Sequence, residues 1–465
     1  MDGRWTIQMP ENVKQIIKTL NAAGYQGYAV GGCVRDSLMG RIPHDWDVTT
    51  NALPLQIKAL FSHTVDTGIK HGTVTVLFKN ESGGYDGYEV TTYRVDGTYE
   101  DHRHPDSVNF TTNLKEDLKR RDFTINAMAY NDEDGIIDIF SGKEDLEKGI
   151  IRAVGNPDER FREDALRIMR AVRFSAQLGF NVEEETLKEM EHHSKELENV
   201  SAERIYSELT KLLASEHPEK ILTAYETKMT SIFLPEFDRM METEQNNPHH
   251  IYNVGLHTVE ALRAANVLVK EDGLNEEEAL LLKIAVLLHD VAKPETKTTD
   301  EKGIDHFYGH PAEGEKMVIR ILKRLKSDNH TIDVVSRLVK YHDRRPGSRG
   351  SVPKKQVRKM VANVGRDIIK LVFEVQKADL AAQNPVFMPG KYQHLFEIMH
   401  VYGQIEEAED ALSIKELKVN GKDIMSLGVQ GKKVGEILNA LLERVLDDPL
   451  VNEHESLMEI AKTLV

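Results

Sequence analysis

Just after Pro10, Val13, Ile16, Ile17 and Leu20 recur at the spacing of one face of a short amphipathic helix. The period then changes. Tyr28–Val30, Trp46–Thr50, Thr73–Phe78 and Tyr88–Tyr93 are short runs rich in Val, Thr and aromatic residues, the pattern of strands. Beyond about Ile150 the helical period takes over and continues to the C-terminus. The expected fold class is therefore α+β, a small head with a mixed sheet followed by an all-α neck, body and tail. The expected divisions are a head over 1–150, a helical neck over 151–215, a helical connection over 216–248, a second globular part over 249–380 and a helical tail over 381–465. No internal repeat or low-complexity tract interrupts this order.

Composition narrows the class. The chain has 465 residues, 40% of them apolar and 29% charged, an ordinary balance for a globular protein. The longest apolar stretches, Leu280–Leu282 and Ile284–Leu288, fall far short of the ~20 residues of a membrane helix. Met1–Trp5 carries no apolar core of a secretory signal, and the single cysteine, Cys33, has no partner for a disulfide. A cytoplasmic protein with no membrane partner is expected. The net charge of −16 argues against a nucleic-acid partner. Binding, however, uses local fields rather than sums. Residues 183–198 hold seven Glu against two Lys, whereas residues 340–359 hold eight basic side chains against Asp343.

The candidate chemistry of the head begins at Gly31-Gly32-Cys33-Val34-Arg35-Asp36, directly after a strand-like run. Adjacent glycines let the backbone approach a ligand closely, and the amides that follow can cradle phosphate. Downstream lies Asp45-Trp46-Asp47. On a strand, residues i and i+2 share a face, so both carboxylates project to one side. Two adjacent carboxylates repel, and a divalent cation relieves them; Mg²⁺ favours a pair of carboxylates plus substrate phosphates. Glu89 either adds a third carboxylate from a neighbouring strand or is a solvated strand residue. The combination points to two-metal nucleotidyl transfer.

Four motifs occur in a fixed order: Gly31–Asp36, Asp45–Asp47, Arg120-Arg121-Asp122-Phe123-Thr124-Ile125-Asn126-Ala127, and Glu163-Asp164-Ala165-Leu166-Arg167. Together they resemble the bacterial class II tRNA nucleotidyltransferase (CCA-adding) and poly(A) polymerase family over roughly the first 210 residues. The resemblance implies a polymerase-β-like head, with Asp45 and Asp47 as catalytic Mg²⁺ ligands and Gly32, Arg35 and Arg121 as nucleotide contacts. It also implies that Asp164 and Arg167 read the incoming CTP or ATP without a nucleic-acid template. Arg170 and Arg173, at helical spacing from Arg167, are then expected on the triphosphate. The reaction implied is CCA addition to the tRNA 3′ end, with A addition or poly(A) synthesis as the alternative on the same scaffold. The polar segment Asp96–Asp106 reads as the loop that family members adding the terminal A retain, with Arg103-His104-Pro105 less basic than the family's usual Arg-Arg-Pro.

A second constellation lies in the body. His257, His289-Asp290, His310, His342 and Asp379 occur on helix-like segments. Imidazole and carboxylate ligands suit a divalent transition metal. The ordered set resembles the HD metal-dependent phosphohydrolase superfamily over about residues 249–380. That resemblance implies His257, His289, Asp290 and Asp379 as metal ligands, with His310 and His342 near phosphate or a second metal. A phosphohydrolase acting on RNA ends or nucleotides is thus the competing activity. Arg344, Arg345, Lys354 and Lys355, from the basic block, are expected outside this pocket and on the tRNA backbone.

Overall fold

The computed structural model describes residues 7–96 and 108–465. The chain forms two compact units, Met1–Pro235 and Glu236–Val465, so the stretch 216–248 is divided between them.

The first unit opens with helix α1 (Glu11–Ala22), whose Val13, Ile16, Ile17 and Leu20 are all buried, as their spacing requires. The chain then runs through β1 (Gly27–Val30), α2 (Gly32–Leu38), β2 (Val48–Thr50), α3 (Pro54–Leu60), β3 (Thr64–Gly68), β4 (Thr73–Lys79) and β5 (Tyr85–Thr92). A short ribbon pairs β6 (Arg94–Asp96) with β7 (Val108–Phe110). Helix α4 (Leu114–Lys119) precedes the hairpin of β8 (Met128–Asn131) and β9 (Gly135–Asp138). Seven of these strands form one mixed sheet in the order β3-β4-β5-β2-β1-β8-β9. Only β2 and β5 run parallel, with Val48 opposite Val90; the other pairs are antiparallel.

Period-two alternation sends side chains to two cores. Ala29, Val48, Val74 and Val90 pack with the apolar face of α1. Tyr28, Val30 and Ala129 pack on the other side with Leu114 and Leu118 of α4. The central strands are thus covered on both faces, which leaves the functional groups to the strand ends and turns.

The sheet gives way to helices through α5 (Gly142–Lys148) and a two-residue parallel pairing of β10 (Ile150–Ile151) with β11 (Asn181–Val182). Between these strands lie α6 (Pro157–Glu163) and α7 (Leu166–Leu178). Asn156 caps α6 and Pro157 occupies its first turn, the expected helix start. Helix α8 (Glu184–His192) and α9 (Ala202–Leu213) follow.

The second unit is helical apart from one small hairpin, Thr298–Thr299 with Asp305–His306. Its central helix, Glu276–Leu288, starts at an Asn275–Glu278 capping box and buries every residue from Leu281 to Leu288. That explains the apolar run at 284–288: a helix surrounded on all sides has no polar face to show. Against it pack Val254–Glu271, Asn329–Tyr341 and Ile369–Ala381, and His310–Arg324 packs in turn on Asn329–Tyr341. A separate apolar cluster near the C-terminus joins Leu417, Ile424, Leu441, Val445 and Leu457. Among the described residues no helix is long and apolar enough to cross a membrane.

Candidate functional site

Strand β1 ends in a turn at Gly31, whose φ of 84° is a conformation that favours glycine. A Cβ there would lie 3.0 Å from Arg121 Nη1, so glycine also permits that guanidinium to close on the backbone. Asp45, Trp46 and Asp47 lie just before β2 rather than on it, which corrects the expected strand placement. The two carboxylates nevertheless share a side, for a local reason. Asp47 O accepts a hydrogen bond from Val30 N at 3.0 Å, which holds the segment extended. Trp46 and Val48 turn into the core while both carboxylates turn outward.

Two adjoining cavities meet at these carboxylates. One, of about 760 Å³, is lined by Asp45, Asp47, Tyr88 and Glu89 among others. The other, of about 510 Å³, is lined by Gly31, Gly32, Asp45 and Asp47, and by Arg35, Arg121, Arg170 and Arg173. The Asp47 carboxyl is pushed up by burial and by the charges of Glu89 and Asp45, against the pull of Arg121. A carboxylate whose ionisation is opposed by neighbouring carboxylates belongs to a donor set that a divalent cation satisfies. Glu89, opposite Thr75 on β5, is therefore part of the same acidic wall rather than an unrelated strand residue.

The arginines are fixed by neighbours that their motifs do not single out. Arg35 donates Nη1 to Asn126 Oδ1 at 2.7 Å, and its Nε and Nη2 to Asp36 at 2.9 and 3.0 Å. Arg170 donates Nε and Nη2 to Asp122 Oδ2 at 2.8 and 2.5 Å. Although burial alone would raise the Asp122 carboxyl, Arg170 and Asn126 hold it at about 2. Arg173 donates to Glu208 at 2.5 Å and lies over the Phe174 ring at 3.9 Å; Arg35 and Arg170 approach the same ring at 5.3 and 5.4 Å. Phe174 is thus a shared platform for three guanidiniums. Arg121 is held less tightly: its buried Nε has no hydrogen-bond partner.

Asp164 and Arg167 are three residues apart, but a helix break separates them. They do not lie on one continuous helix, because Asp164 breaks the chain between α6 and α7 with φ −144° and ψ 103°. Asp164 Oδ1 accepts from Leu166 N at 3.1 Å and its Oδ2 accepts from Arg204 at 2.8 Å. Arg167 donates to Glu163 at 2.5 Å and to the Arg160 and Arg120 carbonyls at 3.1 and 3.0 Å. The two are therefore not ion-paired with each other, and neither lines the 510 Å³ cavity that holds Arg170 and Arg173. Most of the polar segment 96–106 lies outside the described residues.

In the second unit the expected ligands do converge, all on buried side chains. Three of four imidazoles are anchored in the same way: Nδ1 of His289, His310 and His342 bonds the carbonyls of Val286, Phe307 and Val339, each three residues earlier, at 2.7, 2.8 and 2.6 Å. His257 Nδ1 bonds Ala382 O at 3.2 Å. A carbonyl only accepts, so each Nδ1 carries a proton, and in the neutral ring Nε2 presents a lone pair. Those lone pairs face each other, His257 to His289 and His310 to His342, both at 3.3 Å. Two lone pairs at that distance repel unless a proton or a metal ion lies between them.

The carboxylates complete the cluster. Asp379 Oδ1 is 3.1 Å from His257 Nε2, and Asp290 Oδ2 is 3.1 Å from His289 Nε2. Neither oxygen of Asp290 makes a well-formed hydrogen bond, although Lys293 Nζ lies 2.7 Å away. Burial opposes ionisation of both Asp290 and Asp379, but a proton on the imidazole beside each, His289 for one and His257 for the other, holds both carboxyls well below the usual range, with Lys293 and Arg345 adding to it. Burial pushes His342 down to about 3, with His310 and His289 adding to it, so it is neutral as a ligand must be. Two sets, His257–His289–Asp379 and Asp290–His310–His342, bring their ligand atoms within 4.8 Å of one another. The head carboxylates do not form such a set; Asp158, Glu189, His192 and His193 form the remaining one among the described residues.

The basic block proves largely committed to internal pairs. Arg345 is not outside the pocket but bonds Asp379 Oδ2 at 3.0 Å. Lys355 pairs with Asp447 at 3.0 Å, Lys359 with Asp447 and Glu443 at 2.9 Å each, and buried Arg358 with Asp410 at 3.1 Å. Arg344 and Lys354 remain exposed.

Comparison with known proteins settles the family. A CCA-adding enzyme of Ligilactobacillus salivarius is 36% identical over 464 residues, covering 98% of each chain. The chain belongs to the CCA-adding enzyme family. A family member from Pediococcus pentosaceus is 34% identical over 457 residues, again with 98% coverage of both. The poly A polymerase head domain matches residues 27–152, and the domain 2 model of tRNA nucleotidyltransferases matches 304–461. Among solved structures, the Bacillus stearothermophilus CCA-adding enzyme in complex with CTP superposes with a TM-score of 0.70 at 28% identity, covering 98% of this chain and 99% of that one. The Thermotoga maritima CCA-adding enzyme shares the fold, with a TM-score of 0.60 at 22% identity over 100% of this chain and 97% of that one. Membership in this family of nucleotidyltransferases implies dependence on a divalent metal.

Proposed function

We propose that this chain adds C, C and A to the 3′ end of tRNA in the cytoplasm, with CTP and ATP as substrates. The observation that carries this reading is the meeting of Asp45 and Asp47 with four arginines around the Gly31 turn. Asp45 and Asp47, with Glu89 on the same wall, hold Mg²⁺. When bound, the metal supplies Lewis-acid stabilisation of the attacking hydroxyl and of the departing pyrophosphate. The tRNA 3′ oxygen forms a bond to the α-phosphorus as the bond to the pyrophosphate oxygen breaks, and the hydroxyl proton passes to water. Arg121, with its unbonded Nε, and Arg35 bind triphosphate oxygens beside the Gly32 amide; Arg170 and Arg173 add positive field from fixed positions on α7. Base choice by Asp164 and Arg167 requires both to exchange their present partners, Arg204 and Glu163, for the base edge.

Transfer RNAs ending before CCA, after C and after CC, each supplied with CTP or ATP alone, test this reading. Incorporation of C into the first two and of A into the third is expected. A-only incorporation would replace it with an A-adding enzyme.

The facing imidazole lone pairs favour a second activity in the body. There His257, His289, Asp290 and Asp379 would hold a transition metal, which would supply Lewis acidity for phosphate-ester hydrolysis, and His310 and His342 would complete a second ligand set. Release of phosphate from a nucleoside monophosphate by the Mn²⁺-loaded enzyme, abolished in His289→Ala, is the expected result.

A further inference from the structure

The pocket of about 300 Å³ that opens onto the histidine cluster has a rim as distinctive as its floor. The segment Asp305–His310 runs from the small hairpin directly to the cluster, and each side chain along it faces differently. His310 ends the segment as a cluster imidazole, its Nδ1 tied to Phe307 O at 2.8 Å. Phe307 lies against Lys293, whose Nζ is 5.2 Å from the ring centre. Tyr308 turns outward and is 77% exposed, an unusual state for a large aromatic side chain beside a pocket.

Tyr308 is exposed but not loose. One face of its ring stacks on His306, with ring centres 5.2 Å apart and planes only 8° from parallel. Its hydroxyl lies 3.3 Å from His306 Nδ1, while His306 Nε2 lies 3.0 Å from Asp300 Oδ2. The His306 ring is therefore pinned at both nitrogens, and it presents the second tyrosine face to solvent at the pocket rim. Gly309, at φ 80°, then turns the chain sharply into the helix that begins at His310. The open aromatic face thus stands two positions from an imidazole aimed at the cluster.

We infer that Tyr308, backed by His306, is a nucleobase-stacking subsite, and that the ligand of this pocket is a ribonucleoside bearing a terminal phosphate. The phosphate lies on the cluster, with Lys293 beside it, while the base covers the open face of Tyr308. Every base has a π-face, so such a platform is indifferent to base identity and suits either a free nucleotide or the last residue of an RNA. The inference rests on the phosphohydrolase reading of the same pocket for its phosphate end only.

Equilibrium dialysis of the full chain with adenosine 3′-monophosphate, with a short RNA ending in the same 3′-phosphate, and with glycerol phosphate tests it, in the presence and absence of Co²⁺. Both base-bearing probes are expected to bind at least about 5-fold tighter than glycerol phosphate, since stacking on one aromatic contributes about 1–3 kcal/mol and 1.4 kcal/mol is tenfold. Tyr308→Ala should lose that advantage while binding glycerol phosphate as before, and Tyr308→Phe should keep it. Preference for the RNA over the mononucleotide would assign the source as an RNA end, and the reverse a free nucleotide. Equal binding of the base-bearing probes by wild type and Tyr308→Ala would overturn the platform. Metal binding is followed separately, by the visible spectrum of bound Co²⁺ and its loss in His289→Ala; its failure leaves the tyrosine comparison intact.

Discussion

The head and the body each gather acidic side chains that we propose as cation sites, yet they are built in opposite ways. In the head, Asp45 and Asp47 open outward from an extended segment, and arginines line the space in front of them. In the body, the ligands are buried, with ligand atoms within 4.8 Å and imidazole lone pairs already facing. The first arrangement leaves room for a substrate to supply missing ligands, as a triphosphate does for Mg²⁺. The second nearly completes the coordination from protein alone, as transition-metal sites tend to. One site needs its substrate to complete it; the other is nearly complete and already opens into a pocket.

Removing single groups should expose that contrast. The largest effect is expected at the head: Asp45→Ala or Asp47→Ala should lower nucleotide incorporation at least about 10³-fold, because several kcal/mol of charge stabilisation disappear. His289→Ala should leave incorporation unchanged in the same assay. Loss of incorporation in His289→Ala would dissolve the division between the sites.

Next in size is a stability effect. Arg170→Ala leaves the buried Asp122 carboxylate without its bidentate partner and should cost roughly 2–4 kcal/mol, less than a fully buried pair because Arg170 is partly solvated. Thermal unfolding checks it, and Asp122→Asn in the Arg170→Ala background should recover part of the loss.

Metal addition should separate the sites in the opposite sense. Co²⁺ or Zn²⁺ at about 100 times its dissociation constant should stabilise the protein by about 2.7 kcal/mol, and His342→Ala should reduce this. Mg²⁺ without nucleotide should do much less.

The pH response follows from Asp122. Its folded pKa, about 2, lies below the ordinary value of 3.8, so its stabilisation is complete above pH 4 and is lost as pH falls through about 2. The contribution is roughly 2 kcal/mol at neutral pH. Denaturation followed from pH 5 downward should show a shallower loss in Asp122→Asn than in wild type.

The smallest effect concerns RNA. Arg344→Ala with Lys354→Ala should reduce the salt dependence of tRNA binding, by about 0.7–0.9 in logarithmic slope for each phosphate no longer neutralised. Lys355→Ala with Lys359→Ala should leave that slope alone, because both lysines are paired within the body.

The same contrast marks what the sequence reveals. Local order was legible: α1 from the spacing of Val13 to Leu20, the strands from Val and Thr runs, and the grouping of the head carboxylates and of the body's imidazoles from their motifs. Bonds between distant positions were not. Lys355 and Asp447 pair across 92 residues of chain, and Arg358 meets the Leu446 carbonyl, so a block that reads as a free basic surface is mostly neutralised. Asp122 and Phe174 were invisible as organisers of the arginines, although Asp122 stands inside one of the four ordered motifs, because their role depends on how α7 packs in three dimensions. The Asp164 break between α6 and α7 was hidden for another reason. Its i+3 spacing to Arg167 satisfies a helical pattern whether or not the backbone is continuous.

The three imidazoles held by carbonyls one turn earlier have a bearing on heredity. An orienting group supplied by a side chain can be lost to a single codon change, whereas Val286, Phe307 and Val339 contribute only main-chain oxygens. Most replacements at those positions keep the acceptor in place. The aim of the ligands is therefore buffered against drift in the residues that set it. An insertion or deletion that shifts a helix end by one residue would misdirect it at once. Length, more than identity, is what descent must preserve around this cluster.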